Sequence, residues 1–364
     1  MIERRHSPMA AIGPHRRACY SSAMSQPAPP EHAAPENDAL PTVSIVCCVE
    51  AGPLEPMAVR LAESLRRFGG RLANSPFFAV KSRFGPDMRR ETREAFDRLG
   101  VTYLSRWISP RYGWQKFMNK PLALAWVESL ANTEQLVWLD SDILCVGEPS
   151  ELPLEPGMQF AANPAAKDIA TSGPDDPNEP YWRELCRLFG LSLDELPWVV
   201  TCDQNERIRL QWNSGVFSFR RGDGLAERYL ENCFKVLDAG LSHHGAGVHF
   251  TDQVVLGLTM LQLGLTYRQL PFSHNRTMGD FVKNYDMAGL KAARLLHYHN
   301  AMTPAYWPTM LDLLRETQPD ACAWLQQLSP VTQDLPPAQH LLRQTLYVTR
   351  TLRRRMFVRR CRSL

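Results

Sequence analysis

The chain has 364 residues, 44% of them hydrophobic and 22% charged, which is enough for one large core or two smaller ones. Its 9 cysteines follow no Cys-x-x-Cys or Cys/His spacing, so neither a disulfide framework nor a zinc site is indicated. Residues 341–364 hold eight arginines and no acid, which leaves 33 basic and 38 acidic residues elsewhere. On charge grounds the body is therefore not a nucleic-acid-binding protein.

The N-terminal segment, residues 1–40, is rich in Pro, Ala and Ser and has no periodic apolar pattern, so we expect a disordered leader. A transit peptide is the alternative, although the prolines disfavour the amphipathic helix that it needs. No stretch reaches the roughly 18 apolar residues of a membrane span, and the start lacks the apolar core of a secretory signal. These features predict a cytoplasmic protein.

Strands and helices alternate from Thr42 onward. The β-branched run Thr42–Glu50 predicts a buried strand, and a helical pattern follows it as far as Gly69. The next predicted elements are strands at 76–81, 101–105 and 135–140, with helices at 89–99 and 121–130. This alternation predicts βαβ units and hence an α/β fold with a parallel sheet.

The second half of the sequence is less regular. Residues 163–205 contain loop-forming clusters around a short helix, which is typical of an insertion over the sheet edge. Residues 212–222 predict a strand, and residues 251–264 predict a helix with Thr251 as its N-cap. The predicted domains are the leader 1–40, a main domain 41–310, and a helical C-terminal extension with a basic tail, 311–364.

Two acids one residue apart, Asp140 and Asp142, end the apolar run Leu136–Leu139. Open α/β sheets bind ligands at the carboxyl ends of their strands. Carboxylates are hard oxygen donors that suit Mn²⁺ or Mg²⁺, and a diphosphate is the natural further ligand of such an ion. A solvated turn after the strand is the alternative interpretation.

Lys120 stands at the start of a predicted helix in the stretch "FMNKPLALAW". The helix dipole disfavours a cation at that end unless an anion lies there too. A phosphate group would satisfy both the free N–H groups and the lysine. The alternative is a lysine side chain that points to solvent.

Four motifs in order resemble the retaining glycosyltransferases of family 8, which include glycogenin and bacterial lipopolysaccharide galactosyltransferases and have the GT-A fold. They are an apolar strand ending in Asp-x-Asp, an Asn-x-Gly strand, an Asp-Gln pair opening a helix, and a His-Tyr-type segment. The matching residues are Leu136–Asp142, Asn213–Phe217, Asp252–Gln253 and Leu295–Ala301, within residues 44–307. The resemblance implies a Rossmann-like, mostly parallel sheet flanked by helices, the architecture of nucleotide-diphospho-sugar transferases.

The resemblance also implies a role for individual residues. Asp140, Asp142 and His297 would hold the metal, with His299 as the rival for the histidine ligand. At the donor, Asp252 and Gln253 would lie near the reacting carbon, Asn213 and Gly215 would line the sugar, and Glu50 would meet the nucleotide base. Other interpretations stay open, because either histidine could lack a metal, Gly215 could form a bulge, and Asp252 could merely stabilise its helix.

One departure from the family concerns phosphate. Residues 303–305 are Thr-Pro-Ala where the family has a Lys-Pro-Trp triplet that touches the diphosphate. A departing diphosphate needs neutralising charge beyond one metal ion. We therefore expect Lys120, Lys283 or Arg276 to supply it.

These observations predict a metal-dependent glycosyltransferase, a hexosyltransferase that moves a sugar from a nucleotide diphosphate sugar to a hydroxyl group. The donor would be a UDP-sugar, the acceptor a glycan, lipid-linked or protein substrate, and the resemblance implies retention of configuration. A phosphohydrolase that uses Asp140 or Asp142 as nucleophile is one alternative. A non-catalytic sugar-nucleotide-binding protein of the same fold is the other.

The tail from Ala338 onward has no proline, glycine or acid. Four apolar residues fall on one helical stripe, and most of the eight arginines lie off it; the stripe is Leu341, Val348, Leu352 and Met356. This pattern predicts an interfacial helix over 338–364 that attaches the protein to the inner membrane surface. A solvated basic end, or a contact with the protein's own body, is the alternative.

Overall fold

The computed structural model describes residues 42–109, 111–278, 286–332 and 335–364. The strands are β1 Val43–Cys48, β2 Phe77–Lys81, β3 Val101–Ser105, β4 Gln135–Leu139, β5 Ile143–Cys145, β6 Phe160–Ala162, β7 Trp198–Val200, β8 Arg207–Arg209, β9 Val216–Arg220, β10 Leu241–Ser242, β11 Tyr267–Gln269, β12 Arg276–Thr277, β13 Leu295–His297 and β14 Arg362–Ser363. The helices are α1 Leu54–Phe68, α2 Arg90–Leu99, α3 Asn119–Glu128, α4 Glu179–Phe189, α5 Leu225–Asp238, α6 Thr251–Gln262, α7 Met287–Ala292, α8 Trp307–Thr317, α9 Pro319–Leu325 and α10 Pro337–Val358. The predicted leader 1–40 lies outside these described residues.

Within the described residues, the central sheet has seven strands in the order β3-β2-β1-β4-β9-β6-β11. Strand β9 runs antiparallel to both of its neighbours, and the remaining strands are parallel to one another. Helices α1 and α2 contribute to the core on one face, and α3, α5 and α6 to the core on the other. The predicted α/β fold with a mostly parallel sheet flanked by helices is confirmed.

Strand β1 shows why the sheet has two cores. All six of its residues are buried, and they alternate between the faces. Ile45 packs with Val137 and Leu139 of β4 on one side, while Val46 packs with Trp138 on the other. The apolar run before the two acids is thus a central strand, and its carboxyl end is fixed on both sides.

A small second sheet, β12-β13-β5, joins the chain just after Asp142 to a segment more than 150 residues later. Strand β13 runs antiparallel to β5, and His297 is paired with Ile143. The backbone N–H of Tyr298 also donates to the carbonyl of Asp142, at 3.0 Å. This pairing brings the histidine segment to the Asp-x-Asp turn.

Two local predictions were wrong in detail. The strand expected over 212–222 is confined to β9, because the Asn213 side chain accepts a hydrogen bond from Gly215 N and makes residues 213–215 a turn. Thr251 is the first residue of α6 and not its N-cap, and its hydroxyl donates to the carbonyl of Val248. The predicted boundary between 310 and 311 stays a prediction.

The basic tail forms a helix, as predicted, and returns to the body. Phe357 of α10 packs against Trp114, with ring centroids 4.9 Å apart, and β14 pairs in parallel with β10. Arg362 pairs with Glu184 at 2.6 Å. The apolar stripe expected to touch a membrane is exposed. Among the described helices, none has the length and apolar character that crossing a bilayer requires.

Candidate active site

The turn after β4 is held in place by its backbone and by the residue between the two acids. Asp140 N donates to the carbonyl of Gly215 at 2.8 Å, and Ile143 N donates back to the carbonyl of Asp140. The hydroxyl of Ser141 donates to the carbonyl of Cys48 at the end of β1. The two carboxylates therefore leave the sheet in fixed directions.

Asp142 faces two histidines. Its Oδ1 lies 3.3 Å from Nε2 of His297, and its Oδ2 lies 3.7 Å from Nδ1 of His299. The imidazole rings stack with centroids 4.1 Å apart, the His297 side chain buried and the His299 side chain 42% exposed. Strand β13 ends at His297, and His299 reaches the same site through a left-handed backbone with φ 46°.

These three residues form a group whose ligand atoms all lie within 4.8 Å of one another. The sequence proposed Asp140, Asp142 and His297 as metal ligands, with His299 as the rival for His297. The structure places both histidines beside Asp142, so neither excludes the other. Asp140 is not part of this group and has other partners.

The orientation of the His297 ring is set by an amide network. Asn275 Nδ2 donates to Oδ1 of Asn163 at 3.0 Å and of Asn213 at 2.9 Å, which leaves Asn275 Oδ1 as an acceptor. His297 Nδ1 lies 3.1 Å from that oxygen and is therefore its donor. Nε2 then points a lone pair toward the Asp142 carboxylate, an arrangement that calls for a proton or a metal ion between them.

Gly215 makes room for this ring. A Cβ atom at Gly215 would lie 2.6 Å from Cε1 of His297, closer than carbon atoms approach. Gly215 precedes β9, so it is not a bulge within the strand. The neighbour that requires a glycine here is His297, and the role of Gly215 beside the donor sugar stays a prediction.

The pKa values of Asp142, His297 and His299 are shifted in different directions. Burial would raise the pKa of the Asp142 carboxyl, but His297 and, more weakly, His299 hold it at about 2. Burial would lower the pKa of His297, but Asp142 raises it above its usual value. Burial and the neighbouring His297 lower the pKa of His299 to about 4. Near neutral pH, His299 and Asp142 are therefore free of protons and able to bind a cation.

Lys120 is buried at the start of α3 and bridges two carboxylates. Its Nζ lies 3.2 Å from Asp140 Oδ1 and 3.2 Å from Asp252 Oδ2, and it donates to both oxygens of Ser214. Burial would lower its pKa, but the two carboxylates raise it. The Lys120 side chain therefore does not point to solvent. Its positive charge, which was expected to meet a phosphate group, is paired with the carboxylates of Asp140 and Asp252.

Asp140 is held in place by Lys120 and by Trp138. Its Oδ1 accepts from the indole of Trp138 at 2.7 Å and faces Lys120. Burial raises the pKa of this carboxyl, as does the nearby Asp142, while Lys120 opposes both. Both of these contacts are made by Oδ1.

The start of α6 places Asp252 and Gln253 beside this network. Asp252 accepts from the Ser214 hydroxyl at 2.9 Å. Gln253 Nε2 donates to Asp168 Oδ2 at 2.7 Å, and Asp168 lies in the insertion with φ 45°. Sequence reasoning missed Asp168, because an acid in an irregular loop gives no signal of a partner 85 residues away.

Glu50, which follows β1, lies at the other end of the site and is paired with Arg83. Both of its carboxylate oxygens accept from the Arg83 guanidinium at 2.7 Å, and Oε1 also accepts from Asn119. Burial would raise the pKa of Glu50, but Arg83 lowers it. Of the cations expected at phosphate, Arg276 pairs with Asp286 at 3.3 Å, and Lys283 lies outside the described residues.

A cleft of about 310 Å³ lies beyond Glu50, between the carboxyl ends of β1 and β2 and helix α10. Glu50, Arg83 and Lys116 line it on the side of the sheet. Glu50 follows β1 and Asp142 follows β4, and these two strands are parallel neighbours, so the cleft and the group of Asp142 with the two histidines lie at the same edge of the sheet. A nucleotide and a metal ion could therefore occupy neighbouring positions.

Residues 45–264 match the family model of the Rhodobacterales glycosyltransferase domain, which is more than half of the chain. The chain belongs to this family. It is therefore a glycosyltransferase, and the phosphohydrolase alternative is set aside. Membership of family 8 is not part of this match and stays a prediction.

Solved structures give more distant likenesses. The chain is similar to the apo structure of the WbbM bifunctional glycosyltransferase, with 14% identity and a TM-score of 0.46 over 78% of this chain and 51% of that one. It is similar to the glycosyltransferase GlyE of Streptococcus pneumoniae TIGR4, with 13% identity and a TM-score of 0.44 over 81% and 67%. The chain thus spans about half of WbbM. No curated protein matches it.

Proposed function

We propose that this glycosyltransferase is metal-dependent and takes its sugar from a nucleotide diphosphate sugar, a UDP-sugar, for transfer to a hydroxyl acceptor with retention of configuration. The observation that carries the proposal is the group of Asp142, His297 and His299 at the carboxyl end of β4. That end of a sheet is where α/β folds bind ligands, and the cleft beside it has room for a nucleotide.

The residues fit a divalent ion. One carboxylate and two imidazoles, of which His297 is oriented by Asn275, are a set of ligands that Mn²⁺ accepts. Gly215 keeps the space that the His297 ring needs. A divalent ion bound there would supply positive charge to a departing diphosphate. Asp142, His297 and His299 would hold the ion, and Asp140 as a further ligand stays a prediction from the sequence.

The protein's own groups would position the sugar. Lys120 holds Asp252 and Asp140 at fixed places, and Asp168 holds the amide of Gln253. A fixed carboxylate and amide are able to bind sugar hydroxyls near the reacting carbon. In a same-face reaction the bond from C1 to the phosphate oxygen breaks and the bond to the acceptor oxygen forms. The acceptor proton leaves with the diphosphate, and no protein nucleophile is required.

The test is incubation of the purified protein with UDP-, GDP- and CMP-sugars, with Mn²⁺ or with EDTA, and measurement of nucleotide release. We expect slow, Mn²⁺-dependent release of UDP from one UDP-sugar, because glycosyltransferases transfer sugar to water in the absence of acceptor. Release of equal size in EDTA would contradict the metal dependence. Release from a GDP- or CMP-sugar alone would contradict the donor assignment.

A further inference from the structure

Helix α10 turns an arginine edge toward the protein. Arg343, Arg350 and Arg354 recur at intervals of seven and four residues, which places them on one side of the helix. All three line the cleft beyond Glu50. The opposite side carries exposed residues, namely Leu341, Val348, Leu352 and Met356. An amphipathic helix usually buries its apolar stripe, whereas this stripe is exposed.

The cleft is strongly cationic. Six lysine or arginine side chains line it, and Glu50 is the only carboxylate among its lining residues. Glu50 is already paired with Arg83, and Lys81 pairs with Asp87 at 3.2 Å. Among the described residues, no carboxylate lies within ion-pairing distance of Lys116, Arg350 or Arg354; the cations of the cleft are Lys81, Arg83, Lys116, Arg343, Arg350 and Arg354.

These cations are held close to one another. Burial and the nearby Arg354 lower the pKa of Lys116. Burial and the nearby Arg83 lower the pKa of Arg350, whose guanidinium donates to the carbonyl of Phe84. Because these cations line one cleft they repel one another, so the arrangement costs free energy until an anion binds.

The tail is held in place by contacts outside the cleft. Phe357 packs on Trp114, β14 pairs with β10, and Arg362 pairs with Glu184. These contacts keep α10 over the cleft in spite of the repulsion. Lys120, the lysine nearest to the two acids in sequence, is already engaged by Asp140 and Asp252. We therefore look to residues other than Lys120 for the cations that would bind a diphosphate.

We propose that Arg350 and Arg354 of α10, together with Lys116, bind the diphosphate of the donor nucleotide. The inference rests on the proposed function, because it names residues that hold the leaving group of that reaction. Arginine forms bidentate hydrogen bonds with phosphate oxygens, which a lysine cannot do. Helix α10 is then the wall of the donor site and not only a surface extension.

The test compares two double variants of the full-length protein that lose the same charge from the same helix. Arg350→Gln with Arg354→Gln removes cations that line the cleft, and Arg353→Gln with Arg355→Gln, the exposed variant, removes surface cations that do not line it. The probes are UDP, uridine and inorganic pyrophosphate, titrated calorimetrically with saturating Mn²⁺. Thermal unfolding verifies that each variant is folded.

We expect the cleft variant to bind UDP at least about 10-fold more weakly, because charge-assisted hydrogen bonds to phosphate are lost. Its binding of uridine should stay unchanged, and the exposed variant should bind UDP as the wild type does. Equal losses in the two variants, or no loss in the cleft variant, would overturn the inference while the proposed function stands. Tighter binding by the cleft variant would also overturn it, because α10 would then be an obstacle.

A failure of the proposed function gives a different pattern. Wild-type protein would then bind no UDP, and pyrophosphate becomes the probe that decides. If pyrophosphate binds the wild type and the exposed variant but not the cleft variant, the arginine site is upheld and the donor assignment is wrong. If it binds all three proteins equally or none, the arginine site is wrong as well.

Discussion

The two sides of the proposed donor site differ in how their charges are balanced. At the carboxyl end of β4, Lys120 bridges Asp140 and Asp252, and Asp142 faces two histidines. On the α10 side, six cationic side chains surround a single carboxylate. In the first arrangement each carboxylate has a lysine or histidine partner within the protein, whereas the second has an excess of positive charge that a ligand would balance.

Because of this difference in charge balance, the cations on the two sides should have different effects on fold stability and on ligand binding. A buried charge that has lost its partner destabilises the fold by several kcal/mol, whereas repelling cations destabilise the fold while they are present. We therefore expect cations on the β4 side to stabilise the protein and cations on the α10 side to serve ligands at the expense of stability.

The largest expected effect is at Lys120. Lys120→Met should reduce the free energy of unfolding by about 3 to 5 kcal/mol, because it leaves Asp140 and Asp252 in the site without their cation. Lys116→Met, four residues earlier, should change it by no more than about 0.5 kcal/mol. Urea denaturation of both variants measures the difference. Equal losses would show that the two sides of the site are not different in this way.

Substitutions of His297 and His299 test whether the β4 side binds a metal ion. His297→Ala should weaken Mn²⁺ binding by about 100-fold, and His299→Ala by about 10-fold. The reason is that the His297 ring is buried and held by Asn275, whereas the His299 side chain is 42% exposed. Calorimetric titration with Mn²⁺ gives the ranking. The reverse ranking would make His299 the principal histidine ligand.

A third prediction concerns the insertion that carries Asp168. Asp176 lies in the same segment with its side chain 1% exposed and pairs with Lys167 at 2.8 Å. Burial would raise the pKa of Asp176, but Lys167 and the Ser172 hydroxyl, with backbone N–H groups, hold it at about 2, below its ordinary value of 3.8. Its contribution to stability is therefore complete above about pH 4 and is lost as the pH falls toward 2.

Asp176→Asn should accordingly cost about 2 kcal/mol at pH 7 and much less at pH 2.5. Thermal or urea unfolding at several pH values measures this, with Asp194→Asn as the control, because the Asp194 side chain is 74% exposed. A cost that does not change with pH would show that the carboxylate charge is not what holds the insertion.

The smallest expected effect is at Gly215. Gly215→Ala should weaken Mn²⁺ binding by about 10-fold, because the new methyl group would push the His297 ring away from Asp142. Gly245→Ala is the control, since a Cβ atom there meets nothing nearer than 3.8 Å. Unchanged Mn²⁺ affinity in the Gly215 variant would mean that the ring position is not critical.

The sequence predicted strand β4 and the position of the two acids at its end, because these signals are local. An apolar run followed by Asp140 and Asp142 indicates a strand end, and the alternation before it indicates a parallel sheet. The partners of these acids are not local: Lys120 reaches Asp252 across 132 residues, and Asn275 orients His297 through an amide network. A pattern in one segment carries no record of such contacts.

The α10 side shows what the sequence could not supply. The helix and its apolar stripe were predicted. Which side of the helix faces the body depends on how the residues at its C-terminal end pack against the rest of the protein. Phe357 and β14 fix the helix so that Arg350 and Arg354 line the cleft. The stripe is left exposed, and attachment of residues 338–364 to a membrane stays a prediction, as does a cytoplasmic location.

The central claim is that a divalent ion at Asp142 couples donor binding to the carboxyl end of β4. The most direct test is the calorimetric affinity for UDP of wild type and Asp142→Asn, each with Mn²⁺ and with EDTA. We predict that Mn²⁺ strengthens UDP binding by wild type and has no effect on the variant, because the amide keeps the shape of the carboxylate and loses its charge. Full Mn²⁺-dependent UDP binding by a folded Asp142→Asn protein would contradict the account.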